Sequence, residues 1–84
     1  MLILSEYVED RCICVDIELR NNYWHCVGSV DADSIRWYIC DTDLNEIQNR
    51  KLYFELTEKL NKLYAVQVIW KREGVLIEQK HSEL

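Results

Sequence analysis

The sequence predicts an α+β domain in which one helix packs on the inner face of an antiparallel β-sheet. Three observations support this prediction: a strictly alternating apolar pattern at 11–20, turn residues that bring three strands into a common register, and a leucine-rich stretch of helical period at 44–63. The sheet is expected to be a four-stranded meander plus a C-terminal hairpin, with elements in the order β-β-β-β-α-β-β. Because the 84 residues include no proline and no linker-like tract, residues 1–84 are expected to form a single domain.

The second strand and the first hairpin are predicted from alternation and turn chemistry. Within 11–20 every second residue is apolar, which is typical of a strand with one buried face. Asn21 and Asn22 then suit a two-residue turn, because asparagine tolerates the positive φ angles that this turn requires. The pairing that follows from this turn places Val15 opposite Gly28 on the inner face.

A second hairpin is predicted at 31–34, where aspartates and a serine interrupt the apolar pattern. It places Gly28 opposite Trp37 and Cys26 opposite Ile39, so that the apolar residues of three strands share one face. A glycine beside a tryptophan leaves room for the indole to lie across the sheet.

The first strand is predicted at 1–8, with a turn at Glu9 and Asp10 and with Leu2 and Leu4 directed inward. This strand would complete the four-stranded meander by pairing with the second strand. Glutamate is not among the residues that favour tight turns, so the turn is placed by the break in the apolar pattern.

A helix is predicted at 44–63, with Asp43 as its N-cap and Glu46 completing a capping box three residues later. The apolar residues on one arc of this helix, which are expected to cover the sheet, are Leu52, Tyr53, Leu56, Leu60, Leu63 and Tyr64. After the helix, alternation and a glycine-containing turn predict two further strands at 65–71 and 75–79.

The charge of the chain is acidic and unevenly distributed. The net charge is −5: ten acids and three arginines give −7 in residues 1–49, and seven bases and five acids give +2 in residues 50–84. The N-terminus lacks the basic region and apolar run of a secretory signal, and no stretch approaches the roughly 20 apolar residues of a membrane-spanning helix. The expected location is the cytoplasm, or the host cytoplasm if a phage encodes the chain, with free cysteines and no membrane contact.

One predicted row of side chains has the components of a catalytic site. The register places Glu18, His25 and Cys40 side by side on the outer face of the sheet, in the order of a nucleophilic triad. In this row Glu18 is expected to favour the protonated form of His25. An open sheet surface has no oxyanion hole and does not exclude water, so the chain is expected not to be an enzyme.

Metal and cofactor sites are not predicted. Cys12 and Cys14 lie on a strand, whereas structural zinc sites use C-x₂₋₄-C knuckles in loops. The acidic residues after Cys40 begin like a calcium loop, but Glu46 and Leu52 occupy the positions that need glycine and glutamate.

Direct nucleic-acid binding is disfavoured by the acidic net charge, because phosphate groups repel it. The residues that would form a basic strip on the predicted helix are Arg50, Lys51, Lys59 and Lys62. A small RNA-binding module, like a small hydrolase, is therefore kept only as a third hypothesis.

Clustered carboxylates provide the leading functional hypothesis. In a meander the first and third turns fall at the same end of the sheet, which would bring together Glu9, Asp10, Asp31 and Asp33. These acids are expected to steer a protein partner with a basic surface. The exposed aromatic residues expected to anchor that partner are Tyr7, Tyr23 and Tyr38.

In size, acidity and lack of motifs the chain resembles, as a class, small proteins of phages and mobile elements that inhibit host nucleases or defence complexes. Anti-CRISPR proteins and nucleic-acid mimics belong to that class, and the resemblance implies an inhibitor or regulator. The alternative is a homo-oligomeric structural or assembly subunit, of which a homodimer is the simplest form. Its interface would use Ile47 and Phe54, which lie opposite the leucine arc of the predicted helix.

Overall fold

A computed structural model describes residues 1–31 and 34–64, the side chain of Asp31 excepted. Its elements are β1 (Leu2–Glu9), β2 (Cys12–Leu19), β3 (Asn22–Asp31), β4 (Ser34–Cys40) and α1 (Arg50–Leu63). The four strands form one antiparallel sheet in the order β1-β2-β3-β4. The predicted four-stranded meander with one helix is therefore confirmed. The predicted C-terminal strands at 65–71 and 75–79 lie outside the described residues.

The core forms between α1 and one face of the sheet, called the inner face below. Its buried residues are Ile13, Val15, Ile17, Cys26, Trp37, Ile39, Leu56, Leu60 and Tyr64. The leucine arc predicted for the helix thus supplies the helical side of the core. Burial of this apolar surface is the main force that holds the helix on the sheet.

Three hydrogen bonds fix the position of α1 on the sheet. The Tyr53 hydroxyl donates to the Trp37 carbonyl at 2.8 Å, and the Trp37 indole donates to Asn61 Oδ1 at 2.8 Å. The Tyr64 hydroxyl donates to the Glu6 carboxylate of β1. Burial and this hydrogen bond raise the pKa of Tyr64, so the phenol stays protonated.

The β3–β4 register is confirmed residue by residue. Gly28 lies opposite Trp37, and Cys26 lies opposite Ile39. A Cβ built on Gly28 would be 2.8 Å from two indole carbons of Trp37 and 2.8 Å from Ile35 Cγ2. The glycine is therefore required by the indole that lies across it.

The predicted β2–β3 register is wrong by two residues. The turn consists of Arg20 and Asn21, with φ angles of 53° and 66°, and Leu19 pairs with Asn22. A shift of two leaves every side chain on its predicted face, so alternation alone does not distinguish the two registers. From its turn position, Arg20 Nη2 donates to Glu55 Oε2 of the helix at 2.7 Å.

The prediction that Leu2 and Leu4 point inward is also wrong, and both side chains are exposed. The first turn consists of Asp10 and Arg11, both with positive φ, instead of Glu9 and Asp10. The register shifts between residues 3 and 5, which makes Leu4 the extra residue of a β-bulge. The bulge exchanges the two faces of β1, so the isoleucine before it, and not either leucine, packs on the core.

The helix begins six residues later than predicted, and Asp43 is not its N-cap. Asp41 Oδ1 accepts hydrogen bonds from the backbone N–H groups of Asp43 and Asn45, each at 2.9 Å, and so holds a tight turn. After this turn the chain returns along β4, where the backbone N–H of Ile47 donates to the Ile39 carbonyl at 2.9 Å. The N-cap is Asn49, whose Oδ1 accepts from the N–H of the third helical residue at 3.0 Å.

Candidate partner-binding face

The face of the sheet opposite α1, called the outer face below, carries most of the residues selected from the sequence. On β2 the buried residues alternate with half-buried ones, so Cys12, Cys14, Asp16 and Glu18 lie on the outer face. Their cross-strand partners on β1 and β3 share that face. The outer face therefore consists of rows of side chains that cross the sheet.

One row crosses all four strands and is apolar and aromatic along its length. In strand order it consists of Tyr7, Cys14, Val27 and Tyr38. With neighbouring strands about 4.8 Å apart, the two tyrosines lie about 14 Å from each other. Their side chains are 55% and 47% exposed, and Val27 between them is 37% exposed. This row, called the tyrosine row below, is an unusually apolar feature for an exposed sheet surface.

The three tyrosines predicted as anchors are all exposed, but only two belong to the tyrosine row. Tyr23 pairs with Glu18 near the opposite end of the outer face and is 50% exposed. Val27 and Cys14 were not selected from the sequence. The signal for them was present, because alternation in β3 directs Val27 outward between the inward-facing Cys26 and Gly28.

The predicted acidic end of the sheet contains both signs of charge. Glu9 and Asp10 are exposed at the first turn, and the backbone of Asp31 ends β3 at the same end. Arg36 lies across β3 from this corner, in the row that begins with Glu9, and Arg11 belongs to the first turn. The carboxylates of this end are therefore partly compensated by arginines, which the sequence reading did not place there. The predicted residue Asp33 lies outside the described residues.

The predicted row of Glu18, His25 and Cys40 is wrong in its first member, because the β2–β3 register differs. Asp16, not Glu18, lies opposite His25, and Cys40 lies on the other side of the imidazole. The Nδ1–H of His25 donates to Asp16 Oδ1 at 2.6 Å. The hydroxyl of Ser5 donates to Asp16 Oδ2 at 2.9 Å, so both carboxylate oxygens are hydrogen-bonded.

The chemistry of this row does not provide a nucleophile. Burial and the negative charges of Asp41, Asp16 and Glu46 raise the pKa of the Cys40 thiol. A thiol is a poor nucleophile until it is deprotonated, and these carboxylates oppose deprotonation. Asp16 and His25 therefore form a hydrogen-bonded pair on the outer face and do not activate Cys40.

The hydrogen bond from His25 lowers the pKa of Asp16, which makes stability depend on pH. A carboxyl with a lowered folded-state pKa contributes stability above its ordinary value of about 3.9, and this contribution is lost as the pH falls further. Asp16→Asn should therefore lower the free energy of unfolding at neutral pH by up to about 1 kcal/mol, as expected for a solvent-exposed pair. The difference from wild type should disappear in acid.

Urea unfolding from neutral pH down through the acid range would measure this difference, with Glu18→Gln as a matched loss of a carboxylate on the same strand. Glu18→Gln should not reproduce the acid-dependent convergence. A difference between Asp16→Asn and wild type that stays constant with pH would contradict the assigned role of the Asp16–His25 pair.

Ile47 and Phe54 come together at the start of the helix, although Ile47 is not part of it. Both line a shallow depression of about 460 Å³, together with Glu46, Gln48, Arg50 and Tyr53. Phe54 is 57% exposed, and the guanidinium carbon of Arg50 lies 5.8 Å from its ring centroid. Ile47 is half-buried and packs on the core, so it contributes only one side to this surface.

The described residues show no group of three or more His, Cys, Asp or Glu side chains that could hold a metal ion. Within residues 1–31 and 34–64, no helix is long and apolar enough to cross a membrane. A comparison with protein-family models, with curated proteins and with solved structures finds no match to this chain.

Proposed function

We propose that this chain is a small acidic binding protein that inhibits or regulates a protein partner with a basic surface. The observation that carries the proposal is the tyrosine row, which presents aromatic side chains from β1 and β4, the outermost of the four described strands. Tyrosine combines a large apolar ring with a hydroxyl, and such residues dominate the energetics of protein interfaces. The outer face therefore supplies anchors of the kind that a binding surface uses.

Charge supports the choice of a basic partner. The chain has a net charge of −5, and its acids concentrate in residues 1–49, which include all four described strands. Carboxylates around an apolar centre accelerate association with a positively charged surface and disfavour other partners. A nucleic-acid-binding protein, such as a nuclease of a host defence system, has a basic surface of this kind. Inhibition would follow if the chain occupied that surface.

The proposed steering role of the acidic end can be tested by charge reversal. Proteins captured from the native host's lysate at low and high salt would first identify the partner. Glu9→Lys with Asp31→Lys should then slow association with that partner by about tenfold at low salt and flatten its salt dependence. The matched control is Lys substituted for Asp43 and Glu58, two exposed acids away from this end of the sheet, which changes the net charge equally.

An equal loss in the control would show that only the total charge matters, and unchanged association in the sheet variant would exclude the acidic end. Either outcome would contradict steering by the acidic end of the sheet. The apolar contribution of the outer face is tested separately, by serine substitutions at Tyr7 and Tyr38.

The depression beside Phe54 supports a second candidate function, a homo-oligomeric assembly subunit. An exposed phenylalanine beside a cavity of about 460 Å³ is a geometry in which two copies could exchange rings across a two-fold axis. Sedimentation at micromolar and higher concentrations distinguishes the two functions. A monomer throughout this range would exclude the oligomer, whereas a dimer disrupted by Phe54→Ser would favour it.

A further inference from the structure

The outer face contains two thiols whose sulfur chemistry neither the core nor the proposed function uses. Cys12 and Cys14 are free, half-buried and on the same side of β2. Cys12 lies between Glu9 and Ser29, and Cys14 lies between Tyr7 and Val27 in the tyrosine row. The other two cysteines, Cys26 and Cys40, are buried.

The spacing of these thiols excludes one reaction and permits another. Residues two apart in a strand have parallel side chains about 6.6 Å apart. A disulfide needs Cβ atoms about 3.8 Å apart, so Cys12 and Cys14 do not reach each other directly. Metal–thiolate bonds are about 2.3 Å long, so two sulfurs on opposite sides of one ion are about 4.6 Å apart. The Cys12 and Cys14 side chains can bring their sulfurs to this separation by leaning toward each other along the strand.

The neighbours of the pair determine which ion suits it. Among residues 1–31 and 34–64 no third His, Cys, Asp or Glu completes a metal-binding group with the two thiols, so these residues do not supply the four ligands of tetrahedral zinc. Monovalent copper is soft, prefers thiolates and accepts few ligands.

We propose that Cys12 and Cys14 form a two-coordinate site for Cu(I) on the outer face. Each thiol releases its proton to the solvent as its sulfur binds the ion, so two protons leave for each Cu(I) that enters, and no electron is transferred. The site shares Cys14 with the tyrosine row, but ion binding does not rest on the proposed protein-binding function. A failure of either proposal leaves the other standing, because the readouts are ion binding and partner capture.

The test is an anaerobic titration of the reduced full chain with Cu(I) in competition with a chromophoric Cu(I) chelator. One ion should bind per chain. Cys12→Ser and Cys14→Ser should each weaken binding by more than about tenfold, since loss of even an indirect metal partner has this effect. Cys40→Ser is the matched control and should bind as wild type does, and circular dichroism would confirm that each variant is folded.

Three outcomes would overturn the site. Binding that survives either Cys12→Ser or Cys14→Ser would show that the pair does not act together. A stoichiometry of one ion per two chains would place the ligands between molecules. Loss of binding in folded Cys40→Ser would move the site to the other end of the sheet.

Discussion

Leu56→Ala is expected to lower the free energy of unfolding by about 3 kcal/mol, because it leaves a cavity at the centre of the helix–sheet interface. Leu56 is 0% exposed and packs in the core cluster with residues of the inner face. A domain of this size has a total stability of roughly 5–10 kcal/mol, so this substitution should remove a large part of it. The expected result is a clear shift of the unfolding midpoint to lower denaturant concentration.

Urea unfolding followed by tryptophan fluorescence and circular dichroism measures this loss. The matched control is Leu2→Ala, which removes the same atoms from an exposed side chain of β1. It should change stability by less than about 0.5 kcal/mol. Equal effects of the two substitutions would contradict the position of the core between α1 and the inner face.

Gly28→Ala is expected to destabilise the protein by roughly 1–2 kcal/mol, although alanine normally favours a folded strand over glycine. The usual gain is about 0.5–1 kcal/mol, from the lower entropy of the unfolded chain. The added Cβ would lie 2.8 Å from the Trp37 ring and 2.8 Å from Ile35. The Trp37 ring, which is part of the core, would therefore have to move. Overpacking of this kind costs about 1–3 kcal/mol, and the steric cost therefore exceeds the gain.

The measurement is again denaturant unfolding, together with the tryptophan emission spectrum of the folded state. Ser29→Ala, at the neighbouring exposed position, is the control and should have little effect. Increased stability in Gly28→Ala would show that the indole of Trp37 does not lie against Gly28.

The sheet was largely predictable because its side chains alternate without interruption. The pairing of Gly28 with Trp37 followed from turn position and residue size together, and the structure confirms it. Two registers of β2 against β3, which differ by two residues, place the same apolar side chains on the inner face. In the register that forms, Arg20 adopts positive φ in the turn and reaches Glu55 of the helix. A tertiary ion pair of this kind is not visible in a local pattern.

Two features could not be predicted because each depends on a local irregularity of the backbone, one a β-bulge and the other a tight turn. The bulge at Leu4 reverses the faces of β1. The Asp41 side chain accepts hydrogen bonds from two backbone N–H groups and so holds a tight turn where the sequence predicted the start of the helix. Both events compete with a periodic pattern that points elsewhere.

The exposed tyrosines of the candidate site were predictable from the sequence, but their arrangement on the outer face was not. Exposure of Tyr7, Tyr23 and Tyr38 followed from alternation, and the structure confirms it. The register of three strand pairs was needed to show that Tyr7 and Tyr38 share one row. The same register replaced Glu18 by Asp16 beside His25 and so changed the expected ion pair.

The most direct test of the outer face as the binding surface is a comparison of three bait proteins in the native host's lysate. The baits are wild type, the double variant Tyr7→Ser with Tyr38→Ser, and Phe54→Ser as an equally exposed aromatic control. Interface anchors contribute about 2 kcal/mol or more each, so the double variant should lose the salt-sensitive partner that wild type captures, while Phe54→Ser retains it. Capture of that partner by a folded double variant at the wild-type level would contradict the proposal.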